Sequence, residues 1–164
     1  MKPIHLLAAM AVLLGGCASY DGRGLAPGAS AAEVEAAMGA PAERLKAADG
    51  DTILFYPRQP FGRQMYAVRI APDGRMRSVE QTLTERNLLK IVPGATTREQ
   101  AREIFGPPWR VSFNARMERE MWEYNTYNQT QRDFFLYLQF SPDGILREAI
   151  LIEDFSKQQG DAFH

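Results

Sequence analysis

What most constrains this chain is a pattern that it carries twice. Residues 25–41 read LAPGASAAEVEAAMGAP and residues 91–108 read IVPGATTREQAREIFGPP. In both, an apolar residue leads into Pro-Gly, a hydroxyl residue, a short amphipathic stretch, Gly and Pro. Ser30 with Glu33 predicts a capping box, which satisfies two backbone amides that the first helical turn leaves free. In the second copy Thr96 with Glu99 and Thr97 with Gln100 both fit that role. Val34, Ala37 and Met38 share one helix face, as do Ala101, Ile104 and Phe105, and that register favours Thr97. Gly39 and Gly106 stand where a helix can turn left-handed, and Pro41 and Pro108 prevent its resumption. A whole series recurring in order predicts an internal duplication.

Downstream of each helix the apolar period changes from 3.6 to 2. In the first copy strands are predicted at 42–47, 52–56, 65–70 and 76–83, and in the second at 109–113, 119–127, 132–140 and 146–154. Pro72-Asp73-Gly74 and Pro142-Asp143-Gly144 close matching hairpins. Thr84 to Lys90 reads as a further short helix packed against the duplicated one. The predicted fold class is α+β, with tandem repeats at 25–83 and 84–155, each a helix pair on an antiparallel sheet. Residues 156–164 read as a flexible tail.

The amino terminus reads as an address. Lys2 precedes an apolar run from Ile4 to Leu14, too short to cross a bilayer but of signal-peptide length. Leu14-Gly15-Gly16-Cys17 resembles the bacterial lipobox. The resemblance implies cleavage after residue 16 and lipidation of Cys17, and Ala18 in the next position implies sorting to the outer membrane, facing the periplasm. Several acyl chains on one cysteine make a durable anchor. Residues 17–24, polar and glycine-rich, are then a tether.

Composition narrows the chemistry. Nineteen Lys and Arg face 20 Asp and Glu, so no basic surplus favours nucleic acid. The single cysteine leaves no internal disulfide to form. The two histidines, His5 and His164, stand at the extremes of the chain, so no Ser-His or Cys-His pair and no histidine metal cluster is expected. Glu118, Glu120 and Glu123 read as solvated charges on a strand. The chain is therefore expected not to be an enzyme, and to need no cofactor or metal.

Function then falls to surfaces. The loop Pro57-Arg58-Gln59-Pro60-Phe61-Gly62-Arg63-Gln64 combines two prolines, two arginines and a phenylalanine with no evident strand partner. One reading tucks Phe61 back onto the sheet. The other presents Arg58, Phe61 and Arg63 to a protein, since aromatics and arginine are enriched at interfaces. The matching loop of the second copy, from Asn125 to Arg132, is polar and contains Tyr127. Trp122, on the following sheet face, is the remaining candidate contact.

Pro-Gly-x-Ser at 27–30, Val34, Gly39, Pro41, Leu54-Phe55-Tyr56 and the hairpin at Asp73-Gly74 together resemble the SmpA/OmlA domain family of outer-membrane lipoproteins, which includes the E subunit of the β-barrel assembly machine. The likeness recurs over 88–154, where Trp122-Glu123-Tyr124 fits the family's Trp-x-Tyr. Leu54 departs from it, and so does the tandem copy, which is more similar to the β-lactamase inhibitory protein architecture. The resemblance implies a periplasmic protein-binding module acting in outer-membrane protein assembly or envelope integrity. The tandem architecture implies, alternatively, an inhibitor or sensor that occludes a periplasmic protein with its concave sheet.

Overall fold

A computed structural model of the protein describes residues 21–127, 130 and 132–155. The expected leader, Cys17 with the first half of the tether, and the 156–164 tail lie outside the described residues. Helix α1 (Ala31–Met38) begins at Ser30, whose hydroxyl accepts from the Glu33 amide while Glu33 reaches back to the Ser30 amide. Four antiparallel strands follow: β1 (Glu43–Lys46), β2 (Thr52–Pro57), β3 (Met65–Ile70) and β4 (Met76–Gln81), in that order across one sheet. Helix α2 (Glu85–Leu88) is a single turn, and α3 (Arg98–Phe105) carries the second capping box, from Thr97 and Gln100. Thr96 instead receives the Val92 amide through its hydroxyl and closes the preceding turn. Strands β5 (Arg110–Asn114), β6 (Arg119–Tyr127), β7 (Asp133–Phe140) and β8 (Leu146–Glu153) form the second sheet.

The α+β expectation of helix-pair repeats is overturned. The described chain is mostly β, two four-stranded antiparallel sheets with helices of only eight, four and eight residues. The first half has a single helix. In the second, the segment expected to pair with α3 has room for one turn, because Leu89 already caps it. So short a segment does not repay the entropy of helix nucleation and builds no second layer. Nor do the sheets join into one continuous sheet: each pairs only within itself among the described strands.

Both halves anchor their helix in the same way. The Ala31 amide bonds to the Gly74 carbonyl and the Arg98 amide to the Gly144 carbonyl, so each helix start is fastened to the hairpin of its own sheet. Ser30 bridges Arg75, and Thr97 bridges Ile145. Beyond this the halves differ in burial. Leu54, Tyr56, Val68 and Ile70 on one face of the first sheet pack with Val34 and Met38 of α1. On its opposite face Ile53, Phe55, Met65 and Ala67 share a core with Ala101 and Phe105 of α3 and with Trp122, Tyr124, Leu136, Leu138 and Phe140 of the second sheet. Helix α3 thus joins the two halves. Strand β2 accordingly reads as an almost unbroken buried run rather than an alternating one.

Several polar groups at the junction pair across it. The buried Tyr124 hydroxyl donates to the Gly106 carbonyl at 2.9 Å, and burial holds its pKa far above the usual phenol value, so it remains a donor. Thr82 donates to the Phe105 carbonyl at 2.9 Å, and Thr126 to the Leu83 carbonyl at 3.1 Å. Arg102 forms a bidentate pair with Glu43 of β1, and Arg69 of β3 reaches Glu103 at 3.0 Å.

Candidate functional site

The loop between β2 and β3 joins the first half to the second sheet. Its backbone is a tight turn: the Arg58 amide bonds to the Gln64 carbonyl, and the Gly62 amide to the Arg58 carbonyl at 2.7 Å. Position 62 has no room for a side chain, since a Cβ there would lie 2.6 Å from that of Arg58. Beyond the turn, two side chains fasten the loop to the second sheet.

Gln59 makes the first attachment. Its amide nitrogen donates to the Asn125 carbonyl at 3.3 Å, and its amide oxygen accepts from the Asn125 backbone nitrogen at 3.2 Å. The pairing of β5 with β6 ends at Arg110 and Glu123, so the edge of β6 is open at Asn125. The Gln59 side chain fills that gap as one residue of a neighbouring strand would. Arg63 makes the second. Its guanidinium donates to Asp154 at 2.9 Å and Asp133 at 3.2 Å, and its Cζ sits 5.7 Å from the centre of the Phe135 ring. The Arg63 side chain is 17% exposed and that of Asp154 only 6%.

Between these attachments Phe61 is fully exposed, at 100%. It does not tuck onto the sheet. Arg58 is exposed beside it, and Tyr127 is half-buried at the end of β6, directly opposite Asp133. The structure therefore separates the expected contact residues. Arg58, Phe61 and Tyr127 lie where a protein could meet them. Arg63 is instead an internal tie, its charge committed to two aspartates. Trp122 belongs to the core: 5% exposed, with its ring 4.8 Å from that of Phe140 and the Arg102 guanidinium 5.7 Å from its centre. Alternation along β6 turns Trp122 towards α3, and the sequence pattern alone did not say which face α3 would cover. Cys17 lies outside the described residues.

Sequence reasoning missed Gln59 as an anchor of this loop, and Asn125, Asp133 and Asp154 as its partners. One signal was present. Arg63 and Asp133 are each two residues before corresponding strand positions, Met65 and Phe135, and carry opposite charge. A charge reversed between matching positions is what two halves that touch there require.

No helix among the described residues is long and apolar enough to cross a membrane. No family model matches the chain, and no curated protein matches it. Among solved structures, a DUF4309 family protein (YjgB) from Bacillus subtilis subsp. subtilis str. 168 aligns over 80% of this chain and 84% of its own, at 20% identity and a TM-score of 0.32. A likeness that distant carries no functional argument.

Proposed function

We propose that this chain is an outer-membrane lipoprotein, anchored through Cys17, whose periplasmic part binds other proteins through the 57–64 loop in outer-membrane assembly or envelope integrity. The observation that supports the reading is Phe61: a fully exposed aromatic on a loop attached at both sides to the second sheet. A solvent-exposed phenylalanine gains nothing for the fold. Presented on a fixed loop, it loses little conformational freedom when a partner buries it. That burial contributes about 1.5–3 kcal/mol, or roughly ten- to a hundredfold in affinity. Arg58, exposed in the same loop, adds a cation, and Tyr127 ends the strand to which the loop is attached. The lipobox-like residues at 14–17 and the SmpA/OmlA-like pattern support the location and the class of partner, components of barrel assembly.

The test pairs stability with capture. Full-length wild type, Phe61→Ala and Tyr127→Ala are expressed in a Gram-negative host, extracted in mild detergent and compared for co-purifying barrel-assembly components. Phe61→Ala is expected to keep its melting temperature and lose capture at least tenfold, with a smaller loss for Tyr127→Ala. Undiminished capture by Phe61→Ala refutes the loop as the contact, and an unlipidated wild-type chain refutes the anchor.

A further inference from the structure

We propose that two copies of this chain associate by pairing their β5 strands antiparallel about Ser112, extending the second sheet from one molecule into the next. This does not rest on the 57–64 loop or on its partner. The ends of the two sheets are β1, β4, β5 and β8, and an unpaired edge is a template for another strand unless charge, brevity or cover protects it. Strand β1 is short and carries Glu43, Arg44 and Lys46; β4 carries Arg77 and Glu80; β8 carries Arg147, Glu148 and Glu153 around an uncharged centre, 149–152, whose exposed Leu151 and Ile152 fall on opposite faces. Strand β5 differs. Its centre, Val111-Ser112-Phe113, has no charge, and its exposed apolar residues, Val111 at 54% and Phe113 at 65%, share one face. Its one cation, Arg110, is directed to Glu123 and to the ring of Trp109.

The strand is also complementary to itself in one register. Centred on Ser112, antiparallel pairing sets Val111 of one copy against Phe113 of the other on the same face, and Arg110 against Asn114. Apolar pairs of this kind stabilise a sheet, and no like charges meet. A register centred one residue later sets Arg110 against Arg116. A register centred one residue earlier runs Asn114 against Pro108, which has no amide to donate. Charge and proline thus select the register in which the two exposed apolar side chains cover each other.

A single short strand pair buries less than the roughly 1,000 Å² of a durable dimer, so the association is weak and is best trapped covalently. Opposed residues of antiparallel strands have Cα atoms about 4.5–5.5 Å apart, within the range that a disulfide spans. Full-length Ser112→Cys is therefore oxidised mildly in detergent and run on a non-reducing gel. Wild type, with Cys17 alone, sets the background, and Ser78→Cys, exposed on β4, is the comparison edge. A dominant species of twice the monomer mass is expected for Ser112→Cys only. Adding Val111→Lys or Phe113→Lys is expected to return it to background with an unchanged melting temperature, both residues being exposed. The proposal is overturned if Ser112→Cys yields no more dimer than wild type, if Ser78→Cys yields as much, or if the lysines leave the yield unchanged.

Discussion

Substituting each of the two helix-ending glycines by alanine separates local backbone strain from packing between the halves. Gly39 and Gly106 adopt nearly the same conformation, φ 86° and ψ −174° in one and φ 83° and ψ −169° in the other. This region is almost restricted to glycine, and an alanine forced into it costs about 1–3 kcal/mol. The surroundings differ. A Cβ on Gly39 meets nothing within 4 Å, whereas on Gly106 it would lie 2.6 Å and 2.9 Å from ring atoms of Phe55 and 3.2 Å from Cγ of Met65. Phe55 and Met65 are fully buried strand residues of the first half and cannot move aside freely. Overpacking of this kind adds about 1–3 kcal/mol. Gly39→Ala should therefore cost about 1–3 kcal/mol and Gly106→Ala about 2–6. Urea unfolding followed by both tryptophan fluorescence and circular dichroism measures the difference. Trp109 and Trp122 both lie in the second half, so coincident curves also establish that the halves unfold together. Equal costs for the two variants would refute the wedging of α3 against β2 and β3.

Two further outcomes are expected. Arg63→Ala should destabilise by about 1–3 kcal/mol, the partial exposure of the bridge reducing the larger loss that follows breaking a fully buried one; a loss below about 0.5 kcal/mol in urea titration would show that the bridge does not hold the loop. Glu33 and Asp143 are held below their ordinary values of 4.5 and 3.8 chiefly by hydrogen bonds, from the Ser30 backbone and the Ser141 hydroxyl respectively. Because these pKa values are lowered on folding, their contribution is complete above the unfolded values and is lost as pH falls through the folded ones. The melting temperature should therefore begin its acid-side fall below about pH 4.5, and Glu33→Gln with Asp143→Asn should flatten that fall.

What could be read from the sequence was what short stretches decide alone. The capping boxes at Ser30 and Thr97, the two Pro-Asp-Gly turns and the strand positions follow from neighbouring side chains and amides, and the structure has them. The predicted helix pair failed where a local signal was real but too brief: Thr84 does cap a turn, yet only four residues follow it as helix. The role of Trp122 failed for another reason. Periodicity says that Trp122 and Tyr124 share a face, but the element covering that face is known only once α3 is placed. Likewise nothing near Phe61 distinguishes an aromatic folded inward from one left outside. That outcome depends on Gln59 and Arg63 finding partners 66 to 91 residues further along the chain.

The Arg63–Asp133 pair has a bearing on how the chain avoids errors of assembly. Two halves so similar in plan invite a half of one molecule to dock with the matching half of another while the chains fold. Two first halves brought together at this point would oppose arginine to arginine, and two second halves aspartate to aspartate. Only unlike halves attract. Within one chain the correct mate is also tethered and always close by, so it wins the contest on concentration as well as on sign. Reversing both charges together, Arg63→Asp with Asp133→Arg, would keep that grammar while exchanging its letters; making them alike would remove the sign by which an unlike half is preferred to a like one.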